Sequence, residues 1–175
     1  MNEKFSIGQY RWPPLTSTRH STLIAMNKTQ PNLVAPLSVS QAVISSEAAS
    51  IALQATVAHA SSLGIAINVA ITDSAGVLAG FLRMPGAFLH SIDIAIDKAY
   101  TSASFGFPTS KWMDILAGDE ALRVGLVERP RLVVFGGGLP IVEKGQRIGG
   151  IGVSGGSAEQ DEDCARAGLQ AIGLA

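Results

Sequence analysis

The stretch FGGGLPIVEKGQRIGGIGVSGG, residues 135–156, gathers a large share of the chain's 19 glycines into a segment that otherwise reads as paired strands. Glu143-Lys144-Gly145 makes the outer turn of a hairpin, and Gln146 to Val153 its return strand. Glycine inside a strand weakens it, so a strand that keeps several signals a bulge or the close approach of another backbone. A competing reading is a phosphate loop, since Gly150, Gly152 and Gly155 spell GxGxxG. A dinucleotide fold needs a further parallel strand with an acidic residue about 20 positions on, and the sequence ends first. The helix expected next opens with Glu159, Asp161, Glu162 and Asp163, which take the favourable site at a helix N-terminus and repel a pyrophosphate. The glycines are therefore read as shaping the backbone. Their amides, with those of the helix, would face a small polar pocket for a carboxylate or another oxygen-bearing ligand, with Gly136, Gly137, Gly155 and Gly156 as contacts.

Around this hairpin the pattern alternates between helical and strand spacing. Ser38 with Gln41 forms a capping box for a long helix ending at Gly64, with Ile44, Ala48, Ile51, Ala55 and Ala58 as its buried stripe. Ile65, Ile67, Val69 and Ile71 alternate as a strand, which turns at Asp73 to Gly76 and returns through Val77 to Arg83. Ala87 to Phe105 reverts to helical spacing through Ile92, Ala95, Ala99 and Ala103. PTSKWMDILAGDEALRVGLVERP reads as short helices and loops, and RLVVF as extended chain. Ser157 with Gln160 caps a last helix whose apolar face is Ala165, Leu169 and Ile172.

One domain, residues 37–175, is expected. Residues 1–36, with Pro13, Pro14, Pro31 and Pro36 and no sustained period, read as a tail or wrapping arm, and Met26 offers an alternative start. A net charge of -1 leaves no basic surface for nucleic acid. A single cysteine, Cys164, allows neither a disulfide framework nor a cysteine-rich metal site, which fits the cytoplasm. No segment has the apolar run of a secretory signal or a membrane span, so a soluble protein is expected.

FGGGLPIVEKGQRIGGIGVSGGSAEQDEDCARAGL resembles the C-terminal signature of the GlcG/HbpS-type haem-binding family, which includes the C-terminal domain of PduO-type proteins. VAITDSAGVLAGFLRMPGAFLHSIDIAIDKAYTSASF is similar to the family's hairpin, turn and following helix, so the resemblance covers about residues 38–173. It implies a profilin-like α/β (α+β) fold, a mainly antiparallel sheet of about five strands with helices packed on it, assembled as a homo-oligomer such as a tetramer or octamer. Haem or a corrinoid is the implied ligand, in a catabolic or redox-sensing setting. Where the family commonly has aspartate in its Arg-Met-Asp-Gly-Ala turn this chain has Pro85, so a contact through that carboxylate or its amide is not carried over.

His59 and His90 are the histidines within the domain, and imidazole is the commonest protein ligand to haem iron. His59 reads more simply as a packing residue or dipole partner near a helix end, and His90 equally as a surface residue at a helix start. His20 falls in the tail. Arg83 and Lys98 suit an acidic ligand, and the family pattern places both beside the glycine hairpin; Arg83 alternatively pairs with Asp93, Glu143 or Glu159 to hold its turn. Glu159 and Asp161 are an acid-base pair or ordinary helix-start carboxylates. Cys164, on the apolar side of its helix, reads as a small hydrophobe. Three functions remain: a binding protein for haem or another small molecule, a catabolic enzyme acting on a small hydroxy or oxo acid through Arg83, Lys98, Glu159 and Asp161, and an oligomeric assembly module.

Overall fold

The computed structural model describes residues 35–174. Most of the expected arm, with Met26 and His20, lies outside them. Among the described residues are four strands and five α-helices: α1 Ser46–Ser62, β1 Asn68–Asp73, β2 Leu78–Arg83, α2 Ser91–Phe105, α3 Trp112–Leu116, α4 Glu120–Leu126, β3 Gly138–Glu143, β4 Gln146–Ser154 and α5 Ala158–Ala171. The strands form one wholly antiparallel sheet in the order β2-β1-β4-β3.

The two faces of the sheet differ in side-chain size, and this decides what packs on each. Ile67, Val69, Ile71, Leu139, Ile141, Ile151 and Val153 form one apolar cluster with Ala49, Ala52 and Leu53 of α1 and Cys164, Ala165 and Leu169 of α5. Strand alternation turns the intervening residues to the other face, where register sets Gly152 between Ala70 and Gly138, and Gly150 between Thr72 and Pro140. These small residues lie beneath α2. A Cβ on Gly152 would run into the Ala95 carbonyl and Ala99 amide, and one on Gly150 into the Ala99 carbonyl and Ala103 amide. Close backbone approach is thus the reason for the glycines. Gly150 and Gly152 offer no amides to an open pocket.

Both hairpins turn as their sequences predict. At Lys144 and Gly145, φ is 50° and 78°, the paired left-handed conformation of a tight two-residue turn. Asp73 Oδ1 accepts from the amides of Ala75 and Val77, both at 2.9 Å, closing the first. The capping box of α5 is present, with Ser157 and Gln160 bonding each other's backbone amides.

Three expectations need correction. The first helix starts at Ser46, capped by Ser45, and not at the Ser38-Gln41 box. The segment before it is instead tied to the sheet: the Ile44 amide donates to Ile148 O (2.9 Å) and Ser74 Oγ to Ala42 O (2.7 Å). Its buried residues are Ala49, Ala52, Leu53, Thr56 and Ala60, whereas Ile51 is exposed. Gly168 of α5 decides this phase, because a Cβ there would strike Thr56 and the Ala52 carbonyl. Finally, the sheet has four strands among the described residues where about five were expected, and RLVVF pairs with none of them. Thr101 Oγ1 donates to Arg131 O (2.9 Å) and accepts from Val133 N (3.1 Å), so a side chain of α2 takes the bonds a neighbouring strand would make. Arg131, at φ 67°, lies 3.7 Å from the Tyr100 ring and donates to Asp97 (2.8 Å).

Candidate functional site

The C-terminal ends of β2 and β4 and the N-terminal ends of β1 and β3 share one end of the sheet, since Asn68 pairs with Arg83 on one side and Ser154 on the other. Two of the three long helices, α2 and α5, start there. The connection from β2 to α2, Met84 to His90, is held by bonds to its own neighbours. Met84 N donates to Ile67 O (3.0 Å), Arg83 Nη2 to Ala87 O (2.7 Å) and Asn68 Nδ2 to Phe88 O (3.0 Å). Gly86 turns the chain at φ 87°, and Ala87 is buried. Past that anchor, Phe88 and Leu89 stand 67% and 72% exposed, followed by the exposed His90, which precedes α2 without a side-chain capping bond. The fixed backbone thus presents two adjacent large apolar side chains and an imidazole at the surface.

Lys98 and Asp161 are both buried and meet at 2.8 Å. The ammonium also donates to Val153 O (2.8 Å), and Asp161 Oδ1 accepts from Gly156 N (2.9 Å). Gly137, at φ 113°, leaves the passage through which the lysine reaches, for a Cβ there would lie 2.6 Å from Nζ. Burial pushes the Asp161 carboxyl above its ordinary value and the Lys98 ammonium below its own, and their mutual attraction offsets this only in part. The Phe135 ring covers the ammonium at 4.9 Å.

Beyond Phe135 opens a cleft of about 530 Å³ lined by Met113, Phe135, Glu159, Glu162, Asp163 and Arg166 among others. Gly136 lines it too. Glu159 is held below the ordinary carboxylate range by its own backbone amide and the Ser157 hydroxyl. His59 Nε2 meets Asp163 Oδ2 at 2.7 Å, joining α1 to α5. Burial raises the Cys164 thiol to about 11, which leaves it an unreactive packing group.

Arg83 and His90 therefore share the β2–α2 turn, whereas Lys98 and Asp161 lock each other, and Glu159 faces the separate cleft. Arg83 bonds a carbonyl of its own turn and none of the acids weighed for it. Gly155 packs against the Ala66 backbone, and Gly156 donates to Asp161. Sequence reading passed over Asn68, Phe88, Leu89 and Phe135. A signal for two of them was present: Phe88 and Leu89 follow the RMPGA turn off the helical stripe that begins at Ile92. Nothing local marks Asn68, whose contact is made across the fold.

The family model for haem-degrading HbpS-like proteins matches residues 44–170. An uncharacterised 15.0 kDa protein of the dhaT-dhaS intergenic region in Citrobacter freundii is 36% identical over 117 residues, 66% of this chain and 82% of its own length. The corrinoid adenosyltransferase PduO of Salmonella typhimurium is 37% identical over 123 residues, 69% of this chain but 36% of that enzyme. Among solved structures, HbpS superposes with a TM-score of 0.71 at 34% identity, covering 77% of this chain and 93% of that one. The haem complex of PduOC gives 0.71 at 34% identity, over 76% and 97%. With a family model spanning α1 to α5 and relatives of the same fold above 30% identity, the chain belongs to the HbpS-like family.

Proposed function

We propose that this chain binds haem on the β2–α2 turn, with His90 as the iron ligand. The observation that carries the reading is the pinned turn holding Phe88 and Leu89 exposed directly before an imidazole that caps nothing. A haem presents a flat apolar ring, an iron that accepts an imidazole nitrogen, and two carboxylates. Phe88 and Leu89 suit the ring, and Arg83 is the cation nearest in sequence for a carboxylate. The cleft beside Phe135 suits it less, because Glu159, Glu162 and Asp163 would face those carboxylates with Arg166 alone to offset them. His59 is the poorer ligand, its Nε2 being already bonded to Asp163. Among the described residues no three His, Cys, Asp or Glu side chains gather to hold a bare metal ion, a condition haem does not impose because the porphyrin supplies the remaining ligands. Support from outside the chain comes from the PduOC haem complex and the family description. Bound haem would supply a redox-active iron; the chain's part is to ligate it and shield one face.

The small-acid enzyme reading has less support. Lys98 would have to leave a buried ion pair to reach a substrate, and Glu159 is exposed and more acidic than usual, a poor proton carrier near neutrality. Absorbance titration of the purified full chain with haemin tests the haem reading, with cobalamin as second titrant for a corrinoid. The expected result is a shifted Soret band whose affinity falls at least tenfold in His90→Ala and is unchanged in His59→Ala. A titration without a Soret change, or one identical in His90→Ala, overturns it.

A further inference from the structure

Asn68 opens β1 and is fully buried. Its carboxamide is used at one atom only: Nδ2 donates to Phe88 O at 3.0 Å, whereas Oδ1 finds no partner among the described residues. That single bond fixes which way the amide lies, since turning it over would set two oxygens against each other. For folding alone this is a poor residue for the position. Asparagine is disfavoured in strands, and a buried acceptor without a partner costs at least what one neutral hydrogen bond returns. Leucine, of similar shape, would remove both the bond and the orphaned oxygen.

We propose that Asn68 is a positioning residue, whose bond to the Phe88 carbonyl sets the direction in which Phe88, Leu89 and His90 leave the turn. The bond falls where direction matters most, between the Arg83–Ala87 anchor and the first residue of α2. A residue that weakens its strand in order to hold a neighbouring turn trades stability for the geometry of a site. The role deepens the haem reading and rests on it only for the identity of the ligand.

The test compares wild type with Asn68→Leu in the full chain through three measurements: urea midpoint, amide exchange across the turn, and haemin titration. Ala87 N donates to Met84 O and Ile92 N to Leu89 O, so these two amides report on either side of Phe88. Asn68→Leu is expected to keep or raise the urea midpoint, speed exchange at Ala87 and Ile92 at least tenfold, and weaken haemin binding about tenfold with a displaced Soret band. If leucine does not fold, Asn68→Ser, whose hydroxyl is too short to span to Phe88, is read by exchange and Soret position. Unchanged exchange at both amides overturns the inference whatever haemin does. So does faster exchange throughout the domain with a lowered midpoint, which would make Asn68 an ordinary structural residue, and so does faster turn exchange with unaltered haemin binding. Faster turn exchange in a protein whose wild type ignores haemin defeats the haem reading and leaves the positioning role standing.

Discussion

At Lys98 the chain places an ammonium where alanine spacing prepares for another small apolar residue, between Ala95 and Ala99 on the buried side of α2. Such a lysine is tolerated because Asp161, Val153 O and the space over Gly137 receive it. Removing one partner leaves the other charge buried, which costs about 3–5 kcal/mol, whereas replacing both by uncharged groups is close to neutral. Lys98→Met is thus expected to lose that much in urea denaturation, and Lys98→Met/Asp161→Asn to recover most of it, the asparagine still accepting from Gly156. The pH dependence follows from the two shifts. Asp161 titrates above 3.8 in the fold, so its contribution is lost as pH rises through its raised value; Lys98 titrates below 10.5, so its contribution is regained as pH rises past its lowered value. Stability of wild type relative to the double variant should therefore pass through a trough between those two transitions. A flat difference, or a maximum there, would show that attraction outweighs burial. Sequence marked both residues as important but set them facing a ligand, because no local pattern reveals that two charges 63 positions apart face each other.

Among the elements, the close approach of another backbone to β4 was legible, though not that α2 makes it. Glycines alternating with Ile151 and Val153 announced close backbone approach, and helical alanines supplied the matching surface. Gly152→Ala should accordingly cost about 1–3 kcal/mol in urea denaturation, the usual penalty for forcing atoms into a packed interior, or prevent folding if α2 cannot shift. Gly125→Ala makes the contrast: it lies inside α4 with open space around it, and is expected to stabilise by about 0.5–1 kcal/mol through backbone entropy and helix propensity. Equal effects at the two sites would refute the packing account. The later helix start and the absence of a fifth strand among the described residues share one cause. Ser38-Gln41 satisfies the local rule for a helix start as well as Ser157-Gln160 does, yet only the second is followed by a free helix; residues 42 and 44 are claimed by Ser74 and Ile148. RLVVF has strand composition, but Thr101 occupies its hydrogen bonds. Tertiary partners decided both.

Over the whole molecule, the antiparallel order brings the β2–α2 turn, the start of α5 and the Lys98–Asp161 pair to one end of the sheet, while the hairpin turns take the other. The glycine segment and the candidates Arg83 and His90 already pointed to this end in the sequence, but that Phe88 and Leu89 stand exposed on the turn between those two became visible only with the fold. Among the described residues the same topology leaves β2 and β3 as edges, and they differ. Pro140 lies in β3, where its missing amide discourages further pairing, whereas β2 has no proline and carries one charge, Arg83, at its end. Beside that open edge Val77 and Leu78 are 63% and 47% exposed. Unblocked edges with apolar side chains invite a second copy, and a two-fold axis through β2 would pair the strand with itself, burying both sets of residues. Light scattering of the full chain at micromolar concentration is therefore expected to give a multiple of 18.1 kDa. Leu78→Lys, which sets like charges near that axis, should shift the mass towards the single chain while leaving the fold intact by circular dichroism. A single-chain mass at every concentration would exclude self-association, and a multimer indifferent to Leu78→Lys would move the contact away from β2.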